Sequence, residues 1–217
     1  RRSDSLATLK MPHSSFSRQA SRAGFTLLEL MVVLVIISIL AGAFIVTGGK
    51  MFQDSARKET AVRLTQLAAM VEQFAQIEGD YPDDRLPKSL SANAVNTGSE
   101  ALVLAFFAPG YTGSKPSQAW LGNTDDDSSQ KKLTTFAGQE LFEITDVWGN
   151  PVYYAESLHY SRQATLMAGP DELFEEQFVD ALRNETTGDW QQPNRFQLIS
   201  AGMDGFFGTE DDITHSR

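Results

Sequence analysis

The sequence predicts an α+β protein in which one long N-terminal helix packs on a small antiparallel sheet. Three observations carry this. Residues 25–46 form an apolar run interrupted by a single charge, Glu29. Residues 50–78 continue with apolar side chains at helical spacing, and the remainder holds only short apolar stretches of strand length between turn residues.

At about 1.5 Å per residue the apolar run would cover roughly 33 Å as a helix, enough to cross a hydrocarbon core. A carboxylate in such a span costs about 2.5–3.5 kcal/mol at mid-bilayer and less near the interface, so Glu29 is expected to have a partner or a use. Ahead of the run stand Arg1, Arg2, Lys10, Arg18 and Arg22 against Asp4, in a chain with 18 basic and 28 acidic residues and a net charge of −10. The positive-inside rule therefore places the N-terminus in the cytoplasm and the acidic remainder outside. Lys50, Arg57 and Lys58 on the far side are too few to reverse it. The competing reading is a cleaved secretory signal, with residues 27–40 as its hydrophobic core and Ala41-Gly42-Ala43 as its cleavage site. Glu29 inside that core, the long basic leader and the helical pattern beyond Ala43 argue against it. Residue 1 is arginine; Met11 is one candidate start, and a trimmed N-terminus is the other reading.

Beyond Lys50, Leu64, Leu67, Val71 and Phe74 follow 3-then-4 spacing, with Val62, Met70 and Ile77 widening the stripe. Core packing is the expected use of this stripe, with a coiled coil as the alternative. Gly79, followed by Asp80-Tyr81-Pro82, is the expected stop. A helix over residues 25–78 would run roughly 80 Å. Gly42, Gly48 and Gly49 are its weak points, at about 1 kcal/mol each relative to alanine.

Residues 79–217 have the size of one domain. Residues 99–107 predict a short helix closed by Pro109-Gly110. Residues 123–132 predict a polar loop, whose Asp125-Asp126-Asp127 lacks the alternate-position ligands and central glycine of an EF-hand and therefore reads as solvated. Phe142, Ile144, Val152, Tyr153, Tyr154, Leu166, Phe196, Leu198 and Ile199 lie in strand-like stretches, with Gly149-Asn150-Pro151 as a turn. Ala168-Gly-Pro-Asp-Glu-Leu-Phe174 echoes Ala201-Gly-Met-Asp-Gly-Phe-Phe207. The earlier copy predicts a short amphipathic helix capped by Asp171, with Leu173, Phe174, Phe178, Val179 and Leu182 buried; a second ion site at Asp171 is the alternative.

Gly24-Phe25-Thr26-Leu27-Leu28-Glu29-Leu30 resembles the prepilin cleavage and methylation motif of type IV pilins and type II secretion pseudopilins. The resemblance implies a cut after Gly24 by a prepilin peptidase and N-methylation of Phe25. It also implies that Glu29 neutralises the free amine of a neighbouring subunit in a filament, a pairing that costs far less than burying either charge alone. Asp146-Val147-Trp148-Gly149-Asn150-Pro151-Val152-Tyr153-Tyr154 is similar to a segment of the major pseudopilin of type II secretion, with Val147 where that family has proline. Physically, the tryptophan can anchor the sheet on the long helix while Gly-Asn-Pro reverses the chain.

Residues 200–213 are similar to the calcium-binding loop of the same pseudopilins. Here the matching positions are Asp204, Asp211 and the backbone carbonyls of Ala201 and Thr209, with Glu210 and Asp212 as further candidates. One Ca²⁺ is the implied cofactor. The chemistry stands independently, because Ca²⁺ takes six to eight hard oxygens and Gly202, Gly205 and Gly208 let a short loop close round it. An acidic solvated tail is the alternative, which mutual repulsion of four carboxylates disfavours.

No enzyme constellation emerges. His13, His159 and His215 show no metal-ligand spacing, and there is no nucleophile elbow or phosphate loop. Cysteine is absent, so the head has no disulfides. An acidic head argues against nucleic-acid binding.

The sequence therefore reads as a pilin-like chain with a leader (1–24), a transmembrane part of the N-terminal helix (25–46), an amphipathic part (47–78) and a globular head (79–217) carrying an insertion at about 83–145. The implied function is a structural subunit of a type II secretion pseudopilus, anchored in the inner membrane with its head in the periplasm. Its implied partners are other copies of itself, other pseudopilins, the prepilin peptidase and the inner-membrane secretion platform. The alternatives are a type IV pilus minor pilin, or a membrane-anchored surface binding protein or enzyme using the pilin export route. A clustered pocket of polar side chains within residues 83–145 would favour the last, and its absence the filament.

Overall fold

The structure, a computed structural model, describes residues 25–90 and 92–215, with the side chains of residues 43–50 outside the description. The leader, Gly24 included, lies outside the described residues. The described residues divide into two units, the first ending at Val46 and the second beginning at Thr47.

Helix α1 (Leu27–Glu78) spans 52 residues. It ends where expected: Gly79 adopts φ 92° and donates its N–H to the Ala75 carbonyl at 2.9 Å, a left-handed termination that glycine alone adopts without a Cβ penalty. In the first unit its apolar side chains lie open, with Leu27, Leu28 and Ile39 all more than 65% exposed. Among the described residues no helix is long and apolar enough to cross a membrane; the described side chains of the apolar run stop at Gly42.

In the second unit, Leu64, Leu67 and Val71 are buried and Met70 and Phe74 half-buried, as the stripe requires. Val62 and Ile77 do not belong to it. They are 53% and 47% exposed, because at those turns the head covers only the narrower face centred on Leu67. Thr60, which the pattern passed over, is fully buried, and its hydroxyl accepts the Val147 N–H at 3.5 Å.

Helix α2 (Thr97–Phe106) buries Leu102, Val103 and Phe106 with those residues of α1, so this part of the predicted insertion contributes to the main core. Its approach to the neighbouring strand is close: a Cβ on Gly98 would stand 2.2 Å from the Tyr154 carbonyl oxygen.

The strands form three small antiparallel sheets among the described residues, not one. β1 (Leu121–Gly122) pairs with β2 (Glu143–Ile144). β3 (Tyr153–Glu156), β6 (Phe196–Ser200) and β7 (Ile213–Thr214) form the central sheet in the order β3-β6-β7. β4 (Ala164–Ala168) and β5 (Glu175–Val179) form a hairpin. Every residue of β3 and β6 is buried because the two faces serve two cores. The paired Tyr154 and Leu198 face the helices, whereas the paired Tyr153 and Ile199 face Leu166 and Val179 of the hairpin.

The hairpin overturns one expectation. Residues 170–179 contain no amphipathic helix: a three-residue 3-10 turn (Pro170–Glu172) leads into β5, Asp171 sits at φ 51° without capping, and Leu173 and Phe178 are 72% and 69% exposed. β4 supplies a ladder partner for residues 175–179, which outweighs a helix too short to stand alone. The two echoing segments instead lie against each other. Gln177 donates to the carbonyls of both Ala168 (3.0 Å) and Gly205 (2.7 Å) and accepts the Phe207 N–H at 3.0 Å.

Candidate functional site

At the N-terminus, Thr26 and Glu29 form a reciprocal cap on α1. Glu29 Oε2 accepts both the Thr26 N–H and its hydroxyl at 2.9 Å, and the Glu29 N–H donates back to Thr26 Oγ1 at 3.2 Å. This is a capping box, whose local signal in the sequence is Thr-x-x-Glu at the start of the apolar run. Phe25 precedes the cap and is 78% exposed.

The expected ion loop joins β6 to β7. Ala201 is fully buried, and Gly202, Gly205 and Gly208 all take positive φ. At Gly202 a Cβ would stand 2.4 Å from the Asp211 carbonyl oxygen, so the loop closes only with glycine there. Asp204 and Asp211 are brought together: the Asp204 N–H donates to Asp211 Oδ2 at 3.0 Å, and Thr209 Oγ1 donates to Asp211 Oδ1 at 2.6 Å. Against the raising effect of burial, these donors hold Asp211 below the usual carboxylate range. Asp204 Oδ1 accepts the Phe206 N–H at 2.8 Å and Asp212 Oδ2 the Gly208 N–H at 2.9 Å. Burial raises the pKa of Asp212, whose Oδ1 is buried without a partner. Glu210 is exposed.

Asp146, from the second resembling segment, organises its turn. Its Oδ1 accepts the N–H groups of Trp148 (2.9 Å) and Asn150 (3.0 Å), and its Oδ2 accepts the Ser200 hydroxyl at 2.6 Å. Arg63 of α1 donates to the Asp146 carbonyl at 3.4 Å, tying the turn to the helix.

Two further groups of acidic or histidine side chains converge among the described residues, and the C-terminal loop is not one of them. Asp83, Asp84 and His159 form the first. It is internally paired: Arg85 Nε donates to Asp83 at 2.9 Å, and His159 Nδ1 lies 2.7 Å from Asp84 Oδ1. His159 thus has carboxylate neighbours that sequence spacing could not reveal.

Glu100, Asp125 and Glu143 form the second, offering oxygens within 4.8 Å of one another. Glu100 comes from the first turn of α2, Glu143 from β2 and Asp125 from the loop after β1. The reading of residues 123–132 as a solvated loop fails here: Asp125 and Asp127 are half-buried, and Glu100 and Glu143 are fully buried. The loop packs down because Asn123 ties it internally, exchanging hydrogen bonds with the Asp127 N–H (3.1 Å) and carbonyl (2.9 Å). Burial, then the charges of Asp127, Asp125 and Glu143, push Glu100 up to about 10. Burial and Asp125 push Glu143 up to about 8 despite the Asn96 amide, and burial and Asp125 push Asp127 to about 6.

Residues 19–45 match a family described as the prokaryotic N-terminal methylation motif. The match supports a type IV pilin-like protein and implies processing by a prepilin peptidase, membrane anchoring and assembly with other pilins. No curated protein and no solved structure matches the chain.

Proposed function

We propose that this chain is a structural subunit of a type II secretion pseudopilus, cut after Gly24, methylated at Phe25 and polymerised into a periplasmic filament through residues 25–46. The observation that carries the reading is the Gly24-Phe25 motif standing directly before a capped helix whose apolar side chains are open. Such a surface is unfavourable in water and demands lipid before assembly and neighbouring helices afterwards. Residues 146–154 and 200–213 favour a secretion pseudopilin over a pilus subunit, because both resemble segments of the major pseudopilin.

Asp204 and Asp211, with the carbonyls of Ala201 and Thr209, would hold one Ca²⁺ in this reading. The donor set is all oxygen, and the orphaned Asp212 Oδ1 is an acceptor in need of a cation or donor. The ion would neutralise the loop and hold β7 against β6.

N-terminal mass analysis of membrane-extracted protein is the first test. A methylated chain starting at Phe25 is expected; a start at Phe44 would establish secretory cleavage and remove the anchor. Deleting the gene should then abolish export of secreted proteins while leaving surface pili intact. Lost pili with normal export would assign the subunit to a pilus.

A further inference from the structure

We infer that Glu100, Asp125 and Glu143 form a second divalent-cation site, distinct from the C-terminal loop, that locks α2 onto β2 and the loop after β1. Glu100 carries the argument. Its side chain has no solvent exposure, neither of its oxygens receives a hydrogen bond, and it points among the other carboxylates. Asp125 Oδ1 and both oxygens of Asp127 are likewise buried without partners. Among the described residues, no lysine, arginine or histidine forms an ion pair with any of these four groups.

Buried carboxylates without counter-charge are among the most costly arrangements a fold can hold, so something must neutralise them. The surroundings are built to hold these groups in place. Asn96, at φ 54°, donates Nδ2 to Glu143 Oε1 at 2.7 Å while its Oδ1 accepts the Met167 N–H at 2.9 Å. Asn93 Nδ2 fixes Asp125 Oδ2 at 2.8 Å, leaving the other oxygen free. Ser99, one residue before Glu100, exchanges hydrogen bonds with the backbone of Ile144, one residue after Glu143, at 2.9 and 3.2 Å. Glu143 is held through both of its oxygens, which also accept the Thr124 N–H at 3.2–3.3 Å, and it offers only their remaining lone pairs, whereas both oxygens of Glu100 and Oδ1 of Asp125 are left without a partner.

The chemistry selects the ion. There is no sulfur or imidazole, so a hard, oxygen-seeking cation is favoured over zinc or copper. Oxygens bound at 2.3–2.6 Å to one Ca²⁺ stand at most about 5 Å apart, which admits this cluster. Full burial of Glu100 and Glu143 leaves no room for a substrate, so the ion is structural rather than catalytic. The competing way to neutralise the cluster is with protons, Glu100 donating to Asp127.

The test uses the processed full chain in detergent, stripped with chelator and dialysed against calcium alone at neutral pH. Glu100→Gln and Asp125→Asn, both nearly isosteric, should each remove one bound Ca²⁺ per chain or weaken its binding by roughly tenfold or more, as ligand charge count dictates. Asp211→Ala should leave that ion in place. Asp125 is half-buried on a loop, so its variant keeps the experiment informative should Glu100→Gln fail to fold. Unchanged stoichiometry and affinity in both variants, or no calcium uptake by the unmutated chain, would overturn the site and leave the cluster neutralised by protons.

Discussion

Glu29 has two separable tasks, and two substitutions tell them apart. Its Oε2 accepts both donors of Thr26, which caps α1, whereas its charge is what a neighbouring subunit's amine would need. Glu29→Gln keeps the cap, since glutamine serves in that position of a capping box, but removes the charge. Thr26→Val removes the capping hydroxyl and keeps the charge, at a cost of about 0.5–2 kcal/mol to the helix start. Breaking a buried ion pair by removing one partner costs about 3–5 kcal/mol, which shifts an assembly equilibrium by roughly two to three decades or more. Glu29→Gln should therefore be inserted and processed normally yet yield almost no filament, with Thr26→Val showing the milder defect. The assay is the amount of pelleted filament per amount of processed subunit. Normal filament yield from Glu29→Gln would refute the charge-pairing argument, and an equal defect in both variants would assign the role to helix capping.

Asp146→Ala leaves two backbone N–H groups and the Ser200 hydroxyl without their acceptor, at about 1–3 kcal/mol for each group left unsatisfied, so the urea midpoint of the full chain in detergent should fall markedly. An unchanged midpoint would show that the turn does not depend on Asp146. Burial raises Asp146 from 3.8 to about 6, against the hydrogen bonds of Ser200, Asn150 and Trp148. The folded state then binds this proton more tightly than the unfolded chain, so its contribution to stability rises as pH falls from about 7 to about 4, by up to about 3 kcal/mol. Asp146→Asn should remove that component, seen as a smaller gain in melting temperature on acidification than in the unmutated chain; identical pH profiles would count against it. Calcium bound in the C-terminal loop, as proposed, would add about 2.7 kcal/mol of stability at a hundred times its Kd. Asp204→Ala or Asp211→Ala should then reduce the rise in melting temperature on going from chelator to millimolar calcium, and a full rise in both variants would return that loop to a solvated tail.

What the sequence disclosed and what it concealed divide by the range of the interaction. The end of α1 at Gly79, the Leu64-Leu67-Val71 stripe and the Gly149 turn depend on near neighbours, and each was legible. Leu173 and Phe178 misled because their spacing suits a short helix, whereas a ladder partner on β4 decides the conformation. The capping box at Thr26 is also local, its partners three residues apart, and its Thr-x-x-Glu spacing is visible in the sequence. Glu100 had no local signal at all: an acidic residue in the first turn of a helix is ordinary, since it complements the helix dipole, and nothing in its neighbourhood announces full burial.

That concealment bears on how residues 83–145 belong to the fold. A solvated appendage would meet the head through few buried groups. Here α2 places Leu102, Val103 and Phe106 in the main core and meets its neighbours through a polar seam, with Ser99 on Ile144, Asn96 on Glu143 and the Thr165 carbonyl, and Gly98 against the Tyr154 backbone. Apolar burial favours the docking of α2 without fixing its register, because hydrophobic contact is non-directional. The seam fixes register, and Glu100 sits next to it with neither carboxyl oxygen held by a fixed donor. Whatever neutralises Glu100 therefore acts on the helix that shares the main core with Leu64, Leu67 and Val71 of α1.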